Sequence, residues 1–458
     1  MINKYKWLLP VVAVLAACNI TRTYRQPDIN TAGMYRNHSG TDTITLAVRP
    51  WQQLFTDERL QQLISAGLQQ NLDLKIAMQR IEAARAAFRA SRQAFLPALN
   101  GNAGVKQSRL AYPQGFGIFT SNTQYDIGLT ATWEADIWGK LRSAKRAALA
   151  DLLQTVEAQR AVRSQLVADI ATSYYSLLAL DEQLAILRRT ATNRVEDVAA
   201  MKELKASNVV TGAAVVQSEA NRYAAEVAIP DVLQQIRETE NALSILLALP
   251  PDTIQRGLLE KQQLPDSLLA GVPAQLLQNR PDVKAAELAY RSAFENTNVA
   301  RTAFYPTLSI TAAGGFSSFD FSKWFTSDGL FGNAVGGITQ PIFNRGANKA
   351  RLAIAEARQQ EALYSFEKAL RTAGKEVSDA LYAFEAAHEK ESSRGKQLVA
   401  LEKSVDFTKE LLKYSSATNY TDVLTSEQSL LAAQIGKVND KLQQWQAVIT
   451  LYRALGGG

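Results

Sequence analysis

The 458-residue chain has one cysteine, Cys18, and two histidines, His38 and His388. A disulfide framework needs a pair of thiols and a His-rich metal site needs more than two imidazoles, so neither is built here. Both histidines read as solvated or packed side chains rather than as ligands or bases. No proline follows Pro341, and from Lys140 to Thr211 there is neither glycine nor proline. Charge of one sign is scarce too: the net charge is +6, and Lys and Arg interleave with Asp and Glu almost everywhere, which is not a nucleic-acid footprint. No glycine-rich phosphate loop, metal-spaced cluster or nucleophile elbow appears, so the chain does not read as an enzyme. Gly-Leu-Phe-Gly-Asn-Ala-Val-Gly-Gly, beginning at Gly329, reads as a strand with its turn.

What is present starts at the N-terminus. Lys4 and Lys6 precede an apolar stretch from Trp7 to Val14, which runs into Leu15-Ala16-Ala17-Cys18. The stretch is roughly a dozen residues, short of the ~20 that span a bilayer as a helix, so residues 1–17 read as a cleaved signal peptide. Cys18 fits a bacterial lipobox: a thiolate can be alkylated by lipid, and two or more acyl chains make a stable anchor. The expected cofactor is therefore none beyond covalent lipid at Cys18. Residues 18–48 read as a lipidated, extended approach. Asn19 differs from the aspartate that keeps enteric lipoproteins at the inner membrane, which implies the outer membrane.

The rest divides into two halves, 49–250 and 251–458. The Gly- and Pro-free stretch is rich in Ala, Leu, Gln, Glu and Arg, and as helix it is on the order of 100 Å long. A second rod is expected from Gly346 to about Ser415, weakened or bent at Gly374 and Gly395. Return helices follow at Ala213 to Leu249, with a kink at Pro230, and at Asp422 to Leu455. Arg92, Ala94, Phe95, Pro97 and Leu99 recur as Arg301, Ala303, Phe304, Pro306 and Leu308, and Ile137-Trp138-Gly139-Lys140 answers to Ile342-Phe343-Asn344-Arg345. The offset of about 205 to 209 residues is far longer than the ~20–50 of solenoid units, so it marks a duplication. Shorter amphipathic helices precede each rod, with Leu74, Met78, Ile81 and Phe88 on one stripe and Val283, Ala286, Tyr290 and Ala293 on the other.

Between short helix and rod the period changes from 3.6 to 2. From Tyr125 to Trp133 every odd position is apolar and every even one is polar or glycine, which predicts a strand with one wet and one apolar face. Leu99 to about Leu110, Leu308 to Phe316 and Phe331 to Ile338 supply three more. Each is close to the ~9–11 residues that cross a bilayer when tilted. In hydrocarbon, strands survive only in a closed barrel, and known membrane barrels start at about eight strands, so several chains must share one. A soluble sandwich or hairpin pair is the alternative. A further alternative is a lipid-anchored periplasmic coiled-coil scaffold without pore activity.

Nearly the whole mature chain resembles the TolC-like outer-membrane factors, in their lipoprotein branch. The likeness rests on Trp51-Gln52-Gln53-Leu54-Phe55-Thr56-Asp57, Asn71-Leu72-Asp73-Leu74, Phe95-Leu96-Pro97, Trp133-Glu134-Ala135-Asp136-Ile137-Trp138-Gly139-Lys140, Leu180-Asp181-Glu182-Gln183-Leu184, Arg280-Pro281-Asp282-Val283, Pro341-Ile342-Phe343-Asn344 and Leu455-Gly456-Gly457-Gly458, in order and spacing. It implies a mainly α fold: a homotrimer with a twelve-stranded outer-membrane β-barrel continued by a long α-helical barrel and built from two repeats. It implies the exit duct of a tripartite efflux system, a periplasmic adaptor and an inner-membrane transporter of the RND type being partners, with outer-membrane lipid around the barrel. The adaptor-docking tips then map to Val209, Val210, Thr211 and Gly212, and to Ala417, Thr418 and Asn419. In the first tip Gly212 is expected to make the turn and both valines to be exposed. The periplasmic aperture maps to Tyr420, Thr421, Asp422 and Thr425, where Thr421 and Thr425 replace the family's apolar and acidic ring. Tyr420 and Asp422 are the residues expected to constrict the bore, unless Tyr420 is simply packed and Asp422 caps its helix.

Overall fold

The computed structural model describes residues 20–31, 33–36, 49–109, 111, 121–264, 275–414 and 420–457. Cys18, His38, Ala417, Thr418 and Asn419 lie outside the described residues.

The chain passes twice through one series of elements. Helices α1 (Trp51–Leu54), α2 (Glu58–Gln70) and α3 (Leu72–Gln93) lead to strands β1 (Ala98–Arg109) and β2 (Ser121–Ala135), then to the rod α4 (Lys140–Ala206) and its return α5 (Gly212–Leu246). The second pass runs α6 (Leu276–Asn279), α7 (Pro281–Thr302), β3 (Thr307–Ser318), β4 (Leu330–Thr339), α8 (Ala347–Tyr414) and α9 (Tyr420–Ala454). The matched helices have 22 and 22, 67 and 68, and 35 and 35 residues, so the two passes agree in length as well as in order. Caps fix the starts. Asp57 accepts from the amides of Arg59 and Leu60, Asn71 from Leu74, and Asp136 from Leu141 and Arg142, each satisfying donors that a helix leaves open. Among the described residues no helix is long and apolar enough to cross a membrane.

Details differ from expectation at the turn before α8 and on the stripe of α3, and the glycines and proline of the long helices interrupt neither helix. Helix α8 is unbroken through Gly374 and Gly395. Gly374 serves close packing: a Cβ there would stand 2.9 Å from the Met34 Cβ, so no larger residue fits beneath that segment. Helix α5 likewise continues through Pro230. The left-handed glycine before α4 is Gly139 (φ 80°), and its counterpart before α8 is Gly346 (φ 80°), preceded by Arg345 of the Ile342 motif, which is left-handed too (φ 56°). The buried stripe of α3 runs through Leu74 and Ala77, leaving Met78 exposed.

The chain forms two compact units, each drawing on both halves. The first comprises Met1–Asp28, Arg80–Val156 and Ala285–Phe366. Its sheet is an antiparallel meander in the order β1-β2-β3-β4. Leu99 pairs with Ala131, Ile127 with Phe316, Trp133 with Ile310, and Leu308 with Ile338. Directly paired residues share a face, so this register gathers most apolar positions of the four strands on one side, Phe331 and Val335 of β4 excepted. Asn100, Asp126, Thr130, Thr311 and Asn333 fall on the other. Phe331 is an apolar exception on the polar face, and it covers glycines: its ring would stand 3.4 Å from a Cβ at Gly128, and Gly315 beside it passes too close to the Ile127 carbonyl for any side chain. The ends of the apolar face are aromatic, with Trp133 donating to the Phe95 carbonyl at 3.0 Å and Tyr125 packed on Phe321 and Trp324. Below the strands, Trp138 is half-buried and donates to the Pro306 carbonyl at 2.6 Å, fixing the turn into α4.

The second unit comprises Ile29–Gln79, Glu157–Lys284 and Glu367–Gly458. At its centre Tyr175 stacks on Trp445 with ring centroids 4.1 Å apart, and Phe55 and Tyr452 pack edge-on beside them. Tyr174 donates to Asp57 at 2.8 Å and Arg256 ties Asp181 to Glu240, holding the stretch after α5 against the helices. The terminal glycines have a steric cause. Gly456 is left-handed (φ 89°), with a would-be Cβ 2.5 Å from the Asn279 carbonyl, and Arg280 donates to the Ala454 carbonyl at 3.1 Å just before it. Replacing Gly456 with alanine should therefore cost at least ~1–3 kcal/mol in backbone strain alone. A clear fall in the thermal unfolding midpoint is expected; an unchanged midpoint would contradict the fit described.

Candidate functional site at the hairpin tips

Helix α4 ends in a reverse turn closed by two backbone bonds, Asn208 N to Lys205 O at 3.0 Å and Val209 N to Leu204 O at 2.9 Å. This pair defines a Schellman cap, whose left-handed position is usually glycine. Here it is Asn208, at φ 58°. The expectation that Gly212 makes the turn is corrected: Gly212 is the first residue of α5, and Thr211 caps that helix by accepting from Ala214 N at 3.4 Å. Asparagine suits the place because its short amide tolerates the left-handed region better than other L-residues.

The two valines part company. Val209 is 51 % exposed, and Ala213 and Val216 one and two turns along are exposed as well. Val210 is half-buried and packs with Leu204 and Ala214 on a cluster of Met201, Val215, Leu412, Tyr420, Val423 and Leu424. That cluster joins α4, α5, α8 and α9 near the turn. Tyr420 belongs to this cluster and is 6 % exposed within the chain. Thr421, Asp422 and Thr425 are exposed on the opposite side of the same helix, and Gln428 and Ser429 continue that polar face. Thr425 donates its hydroxyl to the Thr421 carbonyl at 2.8 Å, so the Thr425 side chain is held to its own helix.

Further from the turn lies a charge quartet that no motif announced. Lys409 of α8 reaches Asp197 at 2.9 Å and Glu427 at 2.7 Å, while Arg194 of α4 pairs with Glu427 and lies 3.5 Å from Asp197. Two cations face two carboxylates, and the Arg194 and Glu427 side chains are nearly buried. Removing one member of such a group leaves an uncompensated charge, worth on the order of 3–5 kcal/mol. The quartet thus locks α4 to α8 and α9 with no net charge. Arg194 and Asp197 are one helical turn apart, but Lys409 and Glu427 are distant from them in sequence, so spacing could not reveal the group.

The turn yields a test. Asn208→Gly should leave amide hydrogen-exchange protection across 204–215 close to wild type, whereas Asn208→Val should lower it by ~1–2 kcal/mol, the left-handed cost for a side chain without a local hydrogen bond. Equal protection in the two variants would refute the turn assignment.

The sequence pattern of the outer membrane efflux protein family matches residues 63–249 and 272–457, one match in each half. The solvent efflux pump outer membrane protein SrpC of Pseudomonas putida is 32 % identical over 471 residues, covering 98 % of either chain. The cation efflux system protein CusC of Escherichia coli O6:H1 is 31 % identical over 477 residues, again covering 98 % of either chain. Among solved structures, the open state of the Neisseria gonorrhoeae MtrE outer membrane channel superposes with a TM-score of 0.84 at 28 % identity, over 96 % of this chain and 98 % of that one.

Proposed function

This chain belongs to the outer membrane efflux protein family, and from that premise we propose how it serves as the outer-membrane channel of a tripartite efflux system. The observation that carries the reading is the sheet. Its apolar face is open, with Leu99, Val105 and Ile338 all more than 60 % exposed, and among the described residues its two outer strands, β1 and β4, have no neighbour on one side. Unpaired backbone groups cannot persist in hydrocarbon, so these edges must meet edges of other copies. Four is an even number, so β1 and β4 run antiparallel and copies can join edge to edge without breaking the antiparallel order. Three copies give twelve strands, within the range of closed membrane barrels. The rods α4 and α8 begin a few residues after β2 and β4, and each extends for ~100 Å, enough to carry the conduit through the periplasm. Exposed Phe407, Leu411 and Tyr414 on α8, and Val216, Tyr223 and Val227 on α5, supply apolar stripes for neighbouring copies in a helical barrel.

Cys18 carries the lipid anchor. Val209, Thr211 and Gly212, with Ala417, Thr418 and Asn419 of the second tip, dock the periplasmic adaptor, Val209 being the exposed apolar contact and Val210 a support behind it. The transporter beyond the adaptor is of the RND type. Thr421, Asp422 and Thr425 line the aperture, backed by Tyr420, and three copies of Asp422 place negative charge in the bore. The relatives named for a solvent and for a cation resemble this chain about equally, so cargo choice is assigned to the transporter, and the duct is passive.

Purified from outer membranes and added to planar bilayers, the protein should give discrete conductance steps. Asp422→Asn should lower their cation-over-anion preference. Absence of conductance in the wild type would overturn the channel reading, and an unchanged preference in the variant would remove Asp422 from the aperture. Metabolic labelling with palmitate should mark the wild type and not Cys18→Ser; a labelled variant would place the lipid elsewhere.

A further inference from the structure

The first unit contains a cavity of about 300 Å³ lined by residues to which no role has been given above. Its floor is the segment from Thr21 to Tyr24, three to six residues after Cys18, and its walls are the starts of α4 and the middle of α7. The segment is fixed in place. Asn298 accepts from Arg22 N at 3.0 Å and donates to Arg22 O at 2.9 Å, while the Tyr24 ring packs against Tyr290 and Phe294.

Four guanidinium groups, from Arg22, Arg142, Arg146 and Arg291, line this space against one carboxylate, Glu295. Two of the four are committed: Arg146 is bidentate to Glu295 at 2.7 and 2.9 Å, and Arg142 donates to Asp136 at 3.0 Å. Arg291 is not. Its guanidinium lies 5.3 Å from the Tyr24 ring centroid, and among the described residues its Nε is buried without a hydrogen-bond partner. A buried guanidinium donor left open costs on the order of 1–3 kcal/mol or more, so the cavity favours an anion with several acceptor oxygens.

Position narrows the anion. A chain of three residues spans at most ~11 Å, so an acyl anchor at Cys18 holds Thr21 within that distance of the bilayer surface. Gly139, at the foot of β2, touches Thr21: a Cβ there would be 3.2 Å from its methyl carbon. The cavity therefore opens at the level of the headgroups, a layer on the order of 5–7 Å deep on each side of the hydrocarbon. We propose that it binds the phosphodiester headgroup of an acidic phospholipid of the periplasm-facing leaflet, held chiefly by Arg291 and Arg22. The proposal rests on the channel reading, which sets the strands and Cys18 in the membrane. Inorganic phosphate offers the same oxygens but no acyl chains to lie along the apolar foot of the barrel.

The experiment is native mass spectrometry of the full lipidated protein released from nanodiscs of phosphatidylglycerol and phosphatidylcholine, with conductance measured on the same samples. One phosphatidylglycerol per chain should survive release, and Arg22→Gln/Arg291→Gln should reduce its retention at least ~10-fold, the loss of a charge-assisted contact. Arg291→Lys should restore part of it. Equal retention of phosphatidylcholine, unchanged retention in the double variant, or displacement by millimolar inorganic phosphate would each overturn the proposal. Those results would leave conductance intact, whereas loss of conductance in the wild type would strike the channel reading instead.

Discussion

Backbone hydrogen bonding at the edges of a four-stranded sheet constrains everything else in this protein. Among the described residues the meander satisfies β2 and β3 on both sides and leaves β1 and β4 satisfied on one only. In water such edges would be a liability to be covered or charged. In a membrane they cannot remain open at all, because no water reaches them. The protein therefore depends on partners identical to itself, and its surface carries the marks of that dependence: an apolar sheet face, apolar stripes on the long helices, and polar groups on the face that becomes the inside.

Within one chain, polar chemistry is used to fix geometry rather than to react. Capping carboxylates and amides set the helix starts, the Arg194, Asp197, Lys409 and Glu427 quartet crosses three helices near the tip, and Arg256 and Arg280 tie loops to helix ends. In the quartet two cations meet two carboxylates, whereas Arg256 alone bridges Asp181 and Glu240, so charge-assisted bonds to largely buried guanidinium groups hold these positions. The exposed polar face at Thr421, Asp422 and Thr425 is the exception near the tip, and it sits on the turn of α9 that is backed by the apolar cluster around Tyr420.

Much of the fold was legible because its signals are periodic and long. The absence of Gly and Pro after Lys140, the alternation from Tyr125 to Trp133 and the repeat near 207 residues each report a backbone geometry directly, and element positions followed within a few residues. Single-residue effects were not legible. Gly374 and Pro230 read as points of bending or kinking, and the helices run on through both, while the close approach of Met34 to Gly374 is a contact that no sequence pattern shows. At the tip, the glycine drew attention away from Asn208, since either residue can take the left-handed position. Val209 and Val210 are indistinguishable in sequence, and only the packing of Met201 and Val215 around one of them separates exposed from covered. Arg291 gave no sequence signal at all, because its significance lies in the partner it lacks.

The most direct measurement is the mass of the intact complex, released from detergent in a native mass spectrometer and compared with that of the lipidated single chain. Closure of the sheet edges by identical copies predicts one species of three chains that resists dilution. A stable single chain, or an assembly of two, would contradict the account, because neither supplies the twelve strands on which the conduit depends.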